Sequence, residues 1–215
     1  FSRNLRGDLH YGHLAVFKDM EQMRSAKGHV IDNCDGDDPV YVNYDPIQQY
    51  LMQTGITTNV GLSMDDLHRL QLDIETYSVD GFPDPTRRPD EVIIVSLSDN
   101  RGWKALLHTA DVDVKHGMAL SSEKDLLKQL VKVIHRRDPD TIEGHNILGF
   151  DLPYLRQRFE MKRVPFRIGR DNEAPQWWES RKEFAEREVE YEKYIIAGRS
   201  VMDSYFLAAH YDTYA

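Results

Sequence analysis

Acidic side chains at the end of a predicted strand are the residues best suited to chemistry in this sequence. The segment from Leu70 to Ile74 alternates apolar and polar residues, which is the pattern of a half-buried strand, and it contains the start of Asp73-Ile74-Glu75. Residues two apart on a strand project from the same face, so Asp73 and Glu75 would present two carboxylates side by side. Because neighbouring anions repel, this pair predicts a site for a divalent cation with oxygen ligands.

A third acidic residue, Asp151, lies at the predicted start of a helix in the segment GHNILGFDLPYL, residues 144–155. If Asp151 converges on Asp73 and Glu75, three carboxylates can hold two metal ions. Paired ions about 4 Å apart are a recurrent device for cleaving phosphodiester bonds. The hypothesis therefore depends on three acids that are distant in sequence meeting at one point.

A D-x-E pattern alone is weak support for such a site, because an acidic chain of this length contains one by chance. A second copy, Asp171-Asn172-Glu173, has no apolar run before it and is interpreted as a surface loop. Asp73-Ile74-Glu75 differs because a strand leads into it. Taken alone, the first copy would be structural as readily as catalytic.

The elements that must position these acids follow an α/β pattern. Strands are expected at 70–74, 92–97, 141–142 and 200–202, and helices at 123–137, from about 152, and at 205–211. The charged segment 185–194 is expected to be helical. Before residue 67, a short strand is expected at 40–42, a loop at 35–38, and a helix that opens with Asp45-Pro46 and ends at Gly55.

Composition narrows the class of protein. The formal net charge of −9 disfavours a protein that grips duplex DNA through a large basic face, although metal ions bound by carboxylates reverse the local field. The sequence contains no run of about 20 apolar residues, so no membrane span is predicted. The single cysteine, Cys34, excludes an internal disulfide and favours a cytoplasmic location. A chain that begins with Phe1 is expected to be a fragment or a processed product.

The two acidic segments together resemble the first two motifs of the exonuclease domain of family B DNA polymerases, a member of the ribonuclease H-like superfamily. The first motif, an apolar strand ending in D-I-E-T, is matched by Asp73 to Thr76. The second, N-x3-F-D followed by x-P-Y, is matched at 146–154, and the resemblance extends over about residues 67–215. It implies an α/β fold, a ribonuclease H-like mixed β-sheet flanked by helices. Residues 1–66, which lie outside the resemblance, are expected to form a small N-terminal subdomain.

The resemblance also implies roles for individual residues. Asp73, Glu75 and Asp151 would be the catalytic metal ligands for two Mg²⁺ or Mn²⁺ ions. The substrate-binding residues would be Ile74, Thr76, Asn146 and Phe150, with Phe150 packing against the terminal nucleotide. The implied activity is 3′→5′ hydrolysis of single-stranded or frayed DNA ends, with a polymerase domain in the same or a partner chain and no membrane association.

The sequence departs from this family at its third motif, Y-x3-D, which supplies a tyrosine and a fourth carboxylate. No tyrosine in the last forty residues has an aspartate four positions on. The motif is expected just beyond Ala215, so the 67–215 domain would be truncated and the fragment could be inactive. Asp203 and Asp212 are candidate replacements, although Asp203 is more simply explained as a structural residue at a strand end.

Two other hypotheses stay open. The fold could serve as a catalytically silent scaffold or nucleic-acid-binding module of a polymerase, or as an exoribonuclease. Basic residues crowd the segment after Asp151 and predict either phosphate contacts or an ordinary charged helix face; they are Arg156, Arg158, Lys162, Arg163, Arg167 and Arg170.

Overall fold

The structure, a computed structural model, describes residues 2–6, 10–34, 39–57, 59–184 and 187–214. Contacts divide the chain into two compact units, Phe1–Gly61 and Leu62–Ala215. The sequence-based division after residue 66 stays a prediction about domains. Within the described residues, no helix has the length and apolar character needed to cross a membrane.

The N-terminal unit is small and contains a β-hairpin and two helices. Its elements are β1 (Ser2–Asn4), β2 (His13–Ala15), α1 (Met20–Asn33) and α2 (Pro46–Thr54). Helix α2 begins and ends as its sequence predicts: Asp45 caps it by accepting from the Ile47 and Gln48 backbone N–H groups, and Gly55 ends it in the left-handed conformation with φ 72°. No described side chain of this unit is fully buried.

The second unit contains the remaining elements. Its strands are β3 (Arg69–Thr76), β4 (Val92–Asp99), β5 (Lys104–His108), β6 (Gly117–Ala119), β7 (Thr141–Gly144), β8 (Gln176–Phe184), β9 (Arg187–Ile195) and β10 (Ser200–Asp203). Its helices are α3 (Glu123–Arg137), α4 (Asp151–Met161) and α5 (Ser204–Tyr214).

Six strands form one mixed sheet in the order β10-β7-β3-β4-β5-β6. The pairs β3–β4 and β4–β5 are antiparallel, whereas β7 runs parallel to both β3 and β10, and β6 runs parallel to β5. The predicted α/β fold with a mixed sheet and flanking helices is therefore confirmed.

Side-chain alternation along β3 explains how the sheet is oriented. Leu70, Leu72 and Ile74 are buried in the core, whereas Asp73 and Glu75 between and after them are exposed. Period-two alternation places the first set against the helices and leaves the acids on the opposite face. The apolar residues that cover the core side from α3 are Leu126, Leu127, Leu130, Val133 and Ile134.

Two sequence-based expectations are wrong. The segment predicted to be helical, 185–194, instead contributes β9, which pairs with β8 as an antiparallel hairpin over nine residue pairs. Its charges alternate with Val189 and Tyr191 at period two, and pairing with β8, the strand directly before it in the sequence, decided the outcome. Residues 39–45 form no regular element, so the strand expected at 40–42 is absent. The loop expected at 35–38 lies outside the described residues.

Candidate active site

The backbone edge of β3 is where the acidic residues meet. Strand β7 pairs with β3 only from Arg69 to Gln71, so the edge of β3 beyond Gln71 needs other partners. The Asp151 carboxylate supplies one, because its Oδ1 accepts from the Ile74 N–H at 3.0 Å. The structure thus brings Asp151 to the backbone between Asp73 and Glu75.

Asp151 is buried, with 3% of its surface exposed, at the first residue of α4. Burial raises the pKa of Asp151 to about 7, and the negative charges of Asp73 and Asp203 act in the same direction, while the hydrogen bond from the Ile74 N–H opposes the rise. A carboxyl group with this pKa lies in surroundings that lack positive charge. A cation at this point would relieve that deficit.

Asp73 and Glu75 lie on the exposed face of β3. The pairing of β3 with β4 slips between Glu75 and Thr76, a β-bulge of the kind that redirects a side chain near a functional site. Thr76, at the end of the strand, is half-buried, and Ile74 is buried with 5% exposure. Ile74 therefore contributes its backbone N–H to the acidic cluster, while its side chain belongs to the core.

The loop from β7 to α4 is held by Asp203. This buried carboxylate accepts from the backbone N–H groups of Asn146 at 2.8 Å, Leu148 at 3.0 Å and Tyr205 at 2.9 Å. Asp203 thus ties the loop to the start of α5, which agrees with the structural interpretation of this residue. The side chain of Asp212 lies outside the described part of the structure.

Asn146 occupies the left-handed region with φ 59°, a conformation that asparagine adopts more readily than most residues. Its carbonyl oxygen accepts from the N–H groups of Gly149 and Phe150, which forms a tight turn before α4. A Cβ on Gly149 would lie 2.4 Å from the Asn146 Oδ1, so a larger residue at 149 would displace the Asn146 side chain. The two residues together set where Asp151 begins the helix.

An aromatic group lies beside the acids. The Phe150 ring is half-buried and packs against Tyr154 at 5.4 Å between centroids and against Phe82 at 5.9 Å, edge to face. Phe82 is 79% exposed on the loop between β3 and β4. The sequence analysis did not predict a role for Phe82. The signal for it is an aromatic residue that follows Asp80-Gly81 in an otherwise polar loop.

The basic segment after Asp151 is occupied with internal ion pairs rather than presented to a ligand. Arg156 binds the Glu192 carboxylate and lies 3.8 Å from the Trp177 ring centroid. Arg158 is fully buried against Glu123 at 2.7 Å. The remaining pairs are those of Lys162 with Glu91 and Glu123, and of Arg170 with Asp138 and Asp140. The expectation of phosphate contacts here gains no support from these four residues.

A cleft of about 810 Å³ opens beside Asp73 on the exposed face of the sheet. Its wall includes polar residues from strands β3, β4, β5 and β7 and from the segment that follows β7, among them Gln71, Ser96, Glu143 and His145. The cleft is wide and open, so an extended ligand can enter it beside the acidic cluster.

Oxygen ligands and an uncompensated negative charge suit a hard divalent cation. Across the part of the chain that the structure describes, no three His, Cys, Asp or Glu side chains are grouped closely enough to hold one as they stand. Asp73 and Glu75 are exposed, so a change of side-chain rotamer is open to both, whereas Asp151 is held by its hydrogen bond to β3. The donors therefore fit such an ion in kind, with Asp151 as the fixed member.

Comparison with known proteins identifies the family of the chain. The family described as "DNA polymerase family B, exonuclease domain" matches residues 41–211. DNA polymerase 1 of Pyrococcus abyssi is 35% identical over 128 residues, which is 60% of this chain and 16% of that protein. DNA polymerase of Desulfurococcus sp. (strain Tok) is 27% identical over 169 residues, which is 77% of this chain and 21% of that protein.

Among solved structures, the family B DNA polymerase of the hyperthermophilic archaeon Pyrobaculum calidifontis is similar with a TM-score of 0.50 and 27% sequence identity, over 66% of this chain and 16% of that one. The chain thus spans about a fifth or less of the polymerases it matches. The two acidic motifs, the mixed sheet and the family match over most of the chain lead to one conclusion: the chain belongs to the family of family B DNA polymerase exonuclease domains.

Proposed function

We propose that this chain is a 3′→5′ exonuclease domain that hydrolyses single-stranded or frayed 3′ ends of DNA with two divalent cations, Mg²⁺ or Mn²⁺. The observation that carries the proposal is the position of the Asp151 carboxylate on the Ile74 N–H, between Asp73 and Glu75. A buried Asp151 beside the negative charge of Asp73 has little use in a purely structural role, because the repulsion between the two carboxylates costs stability.

Asp73, Glu75 and Asp151 would hold the cations. When bound, such ions activate a water molecule and stabilise the charge that develops on the phosphate and the leaving 3′ oxygen. The chain's own contribution is to fix Asp151 through the Ile74 N–H and to keep Asp73 and Glu75 on the open face of the sheet. The raised pKa of Asp151 in the absence of a cation supports this assignment.

The substrate proposal rests on the aromatic group. Phe150 and the exposed Phe82 offer ring surface beside the acids, and stacking of a base on an aromatic ring is favourable by roughly 1–3 kcal/mol for any base. Asn146 and Thr76 would contact the terminal nucleotide from either side. A site of this kind accepts an unpaired end of any sequence, which suits removal of nucleotides from frayed DNA.

The partners follow from the relatives. The similar proteins are named DNA polymerases, and this chain spans only part of each, so a polymerase domain in the same protein belongs to the proposal. The proposal also includes a cytoplasmic location. Whether the chain works alone depends on a fourth carboxylate, which the described residues do not add to the cluster.

Substitution of the acids tests the activity. Asp73→Asn and Asp151→Asn should each lower the rate of nucleoside monophosphate release from labelled single-stranded DNA by roughly 10²–10³-fold or more, because each removes charge aimed at the reacting phosphate. Asp171→Asn, in the other D-x-E segment on an exposed turn, is the matched control and should retain the full rate. Equal rates in Asp73→Asn and the unmodified protein would refute the proposal.

The scaffold hypothesis has one observation in its favour, since the described acids are not gathered into a ready metal site. Calorimetric titration with Mn²⁺ separates it from the exonuclease hypothesis. An exonuclease should bind the ion in the unmodified protein and lose that binding in Asp73→Asn and Asp151→Asn. A scaffold should show the same heats in all three proteins.

A further inference from the structure

His145 is an exposed residue directly after the end of strand β7. Strands β3 and β7 are parallel with Gln71 opposite Glu143, and the side chains of these two residues share a hydrogen bond of 2.8 Å. Beyond this pairing, which stops at Gln71, Asp73 lies further along β3 and His145 directly follows the end of β7. Both residues line the cleft.

Ser204 holds the other edge of the His145 ring. Strand β10 pairs with β7 so that Asp203 lies opposite Gly144, and the next residue of each brings Ser204 to His145. The His145 Nδ1 lies 3.1 Å from the Ser204 Oγ. His145 and Ser204 therefore lie in contact just past the ends of β7 and β10, on the cleft that Asp73 also lines.

The hydrogen-bond geometry of Ser204 favours one tautomer of a neutral His145. The Ser204 hydroxyl donates its only hydrogen to the Gly144 carbonyl oxygen at 3.1 Å. The hydroxyl oxygen must then accept from the imidazole, so Nδ1 carries the ring hydrogen. Nε2 is left with a lone pair and acts as a hydrogen-bond acceptor. The same geometry argues against Ser204 as a nucleophile, since its hydrogen is committed to a carbonyl group rather than to a base.

The loop that carries His145 is well anchored. Asp203 accepts from the backbone of the next residue, Asn146, and the Tyr205 ring lies edge to face against the imidazole at 5.9 Å. His145 and Ser204 are nevertheless exposed, so the ring is oriented and still accessible to a ligand. An oriented acceptor beside the acids is suited to recognition.

We infer that His145, through Nε2, accepts a hydrogen bond from a sugar hydroxyl of the terminal nucleotide, an inference that rests on the proposed function. Phosphate oxygens in a strand are acceptors and cannot donate to a lone pair. Base N–H donors change with the base, which conflicts with a sequence-tolerant site. The sugar hydroxyl at a 3′ end is the donor that every strand offers, either as the 3′-hydroxyl or, in a ribonucleotide, as the 2′-hydroxyl.

Three strand ends test this inference. Single-stranded oligonucleotides ending in deoxyadenosine, 2′,3′-dideoxyadenosine and 3′-deoxyadenosine carry a 3′-hydroxyl, neither hydroxyl, and a 2′-hydroxyl respectively. Binding is measured by fluorescence anisotropy in EDTA, and cleavage is measured separately with Mg²⁺. The unmodified protein should bind the deoxyadenosine end about fivefold more tightly than the dideoxy end, the effect of one net hydrogen bond of average strength.

The variants separate Nε2 from the rest of the ring. His145→Asn keeps a polar group near Nδ1 but lacks one at Nε2 and should lose the preference, whereas His145→Gln reaches the Nε2 position and should retain part of it. His116→Asn, in the same cleft with a left-handed φ of 61° that asparagine tolerates, is the matched control and should retain the full preference.

The outcomes are distinct. A preference that survives in His145→Asn, or no preference in the unmodified protein, overturns the inference. The inference is supported if the 3′-deoxyadenosine and deoxyadenosine ends bind equally well and His145→Asn loses the preference for each of them over the dideoxy end. That result would also show that either hydroxyl is sufficient. If no substrate is cleaved, the proposed exonuclease function fails, while the binding measurements in EDTA still decide the role of His145.

Discussion

Two buried aspartates in the same unit have pKa values shifted in opposite directions. Burial raises the pKa of Asp151 to about 7, with Asp73 nearby and no basic group to compensate. Burial also acts to raise the pKa of Asp99, but hydrogen bonds from His68, from backbone N–H groups and from Arg137 outweigh it and lower the pKa to about 2. Asp99 is thus satisfied by the protein, whereas Asp151 is poised for a ligand that brings positive charge.

Asp99 should make folding sensitive to acid. Its folded pKa is depressed below the ordinary value of 3.8, so it contributes stability at pH values above about 4, and this contribution disappears as the pH falls through about 2. We expect Asp99→Asn to be less stable at pH 7 and to lose less stability between pH 5 and pH 2 than the unmodified protein. Urea denaturation across that range measures both effects. Parallel pH profiles for the two proteins would contradict the prediction.

Helices α3 and α4 are joined to the loop between β3 and β4 by one buried guanidinium. Arg158 donates to Glu123 through Nε at 2.8 Å and Nη2 at 2.7 Å. It also donates to the carbonyl oxygens of Pro85 at 3.1 Å, Arg87 at 2.8 Å and Arg88 at 3.2 Å. The same loop carries Phe82, which packs against Phe150, so the ion pair anchors the loop that holds this aromatic contact.

Removing Arg158 should destabilise the fold strongly. Arg158→Met leaves Glu123 buried without its principal partner and leaves three loop carbonyls without donors, for which we expect a loss of about 3–5 kcal/mol in the free energy of unfolding. Lys162, 2.8 Å from Glu123, should keep the loss toward the lower end. Guanidinium denaturation measures it, with exposed Arg167→Met as the control.

The companion change distinguishes the ion pair from simple packing. Adding Glu123→Leu to Arg158→Met should recover part of the lost stability, because it removes the uncompensated buried charge. A double variant whose loss in the free energy of unfolding equals the sum of the losses in the two single variants would contradict this account.

At the scale of the whole molecule, the two units differ in how they are stabilised. The core lies in the second unit, where strands β3 and β4 bury Leu70, Leu72, Val92 and Val95 almost completely. The N-terminal unit contains no fully buried side chain among its described residues, and several of its large apolar residues are exposed, among them Tyr41, Tyr44, Ile47 and Tyr50. Little apolar burial means little stabilisation of its helices beyond local capping.

Hydrogen exchange should reveal this difference. We expect amides of α1 and α2 to exchange by local opening orders of magnitude faster than amides of β3 and β4, which should exchange only through global unfolding. Exchange followed by mass spectrometry at pH 7 measures it peptide by peptide. Equal protection of α2 and β4 would show that the N-terminal unit has a source of stability other than its own burial.

Local sequence patterns were sufficient for most elements of this fold. Ser122 and the apolar spacing after it predicted α3 at its observed bounds, and Asp45 with Gly55 predicted α2. The two acidic motifs indicated the family, and its match over residues 41–211 confirms that resemblance. These signals succeed because caps, turns and periodicity act over a few residues, whatever the rest of the chain does.

Only the tertiary structure decided where distant residues meet. The hairpin of β8 and β9 replaced a predicted helix because cross-strand pairing outweighed local propensity. The contact of Asp151 with the Ile74 N–H and the contact of His145 with Ser204 depend on sheet order and register, which no local pattern encodes. The roles of these acids stay predictions, but their proximity follows from how the strands pair.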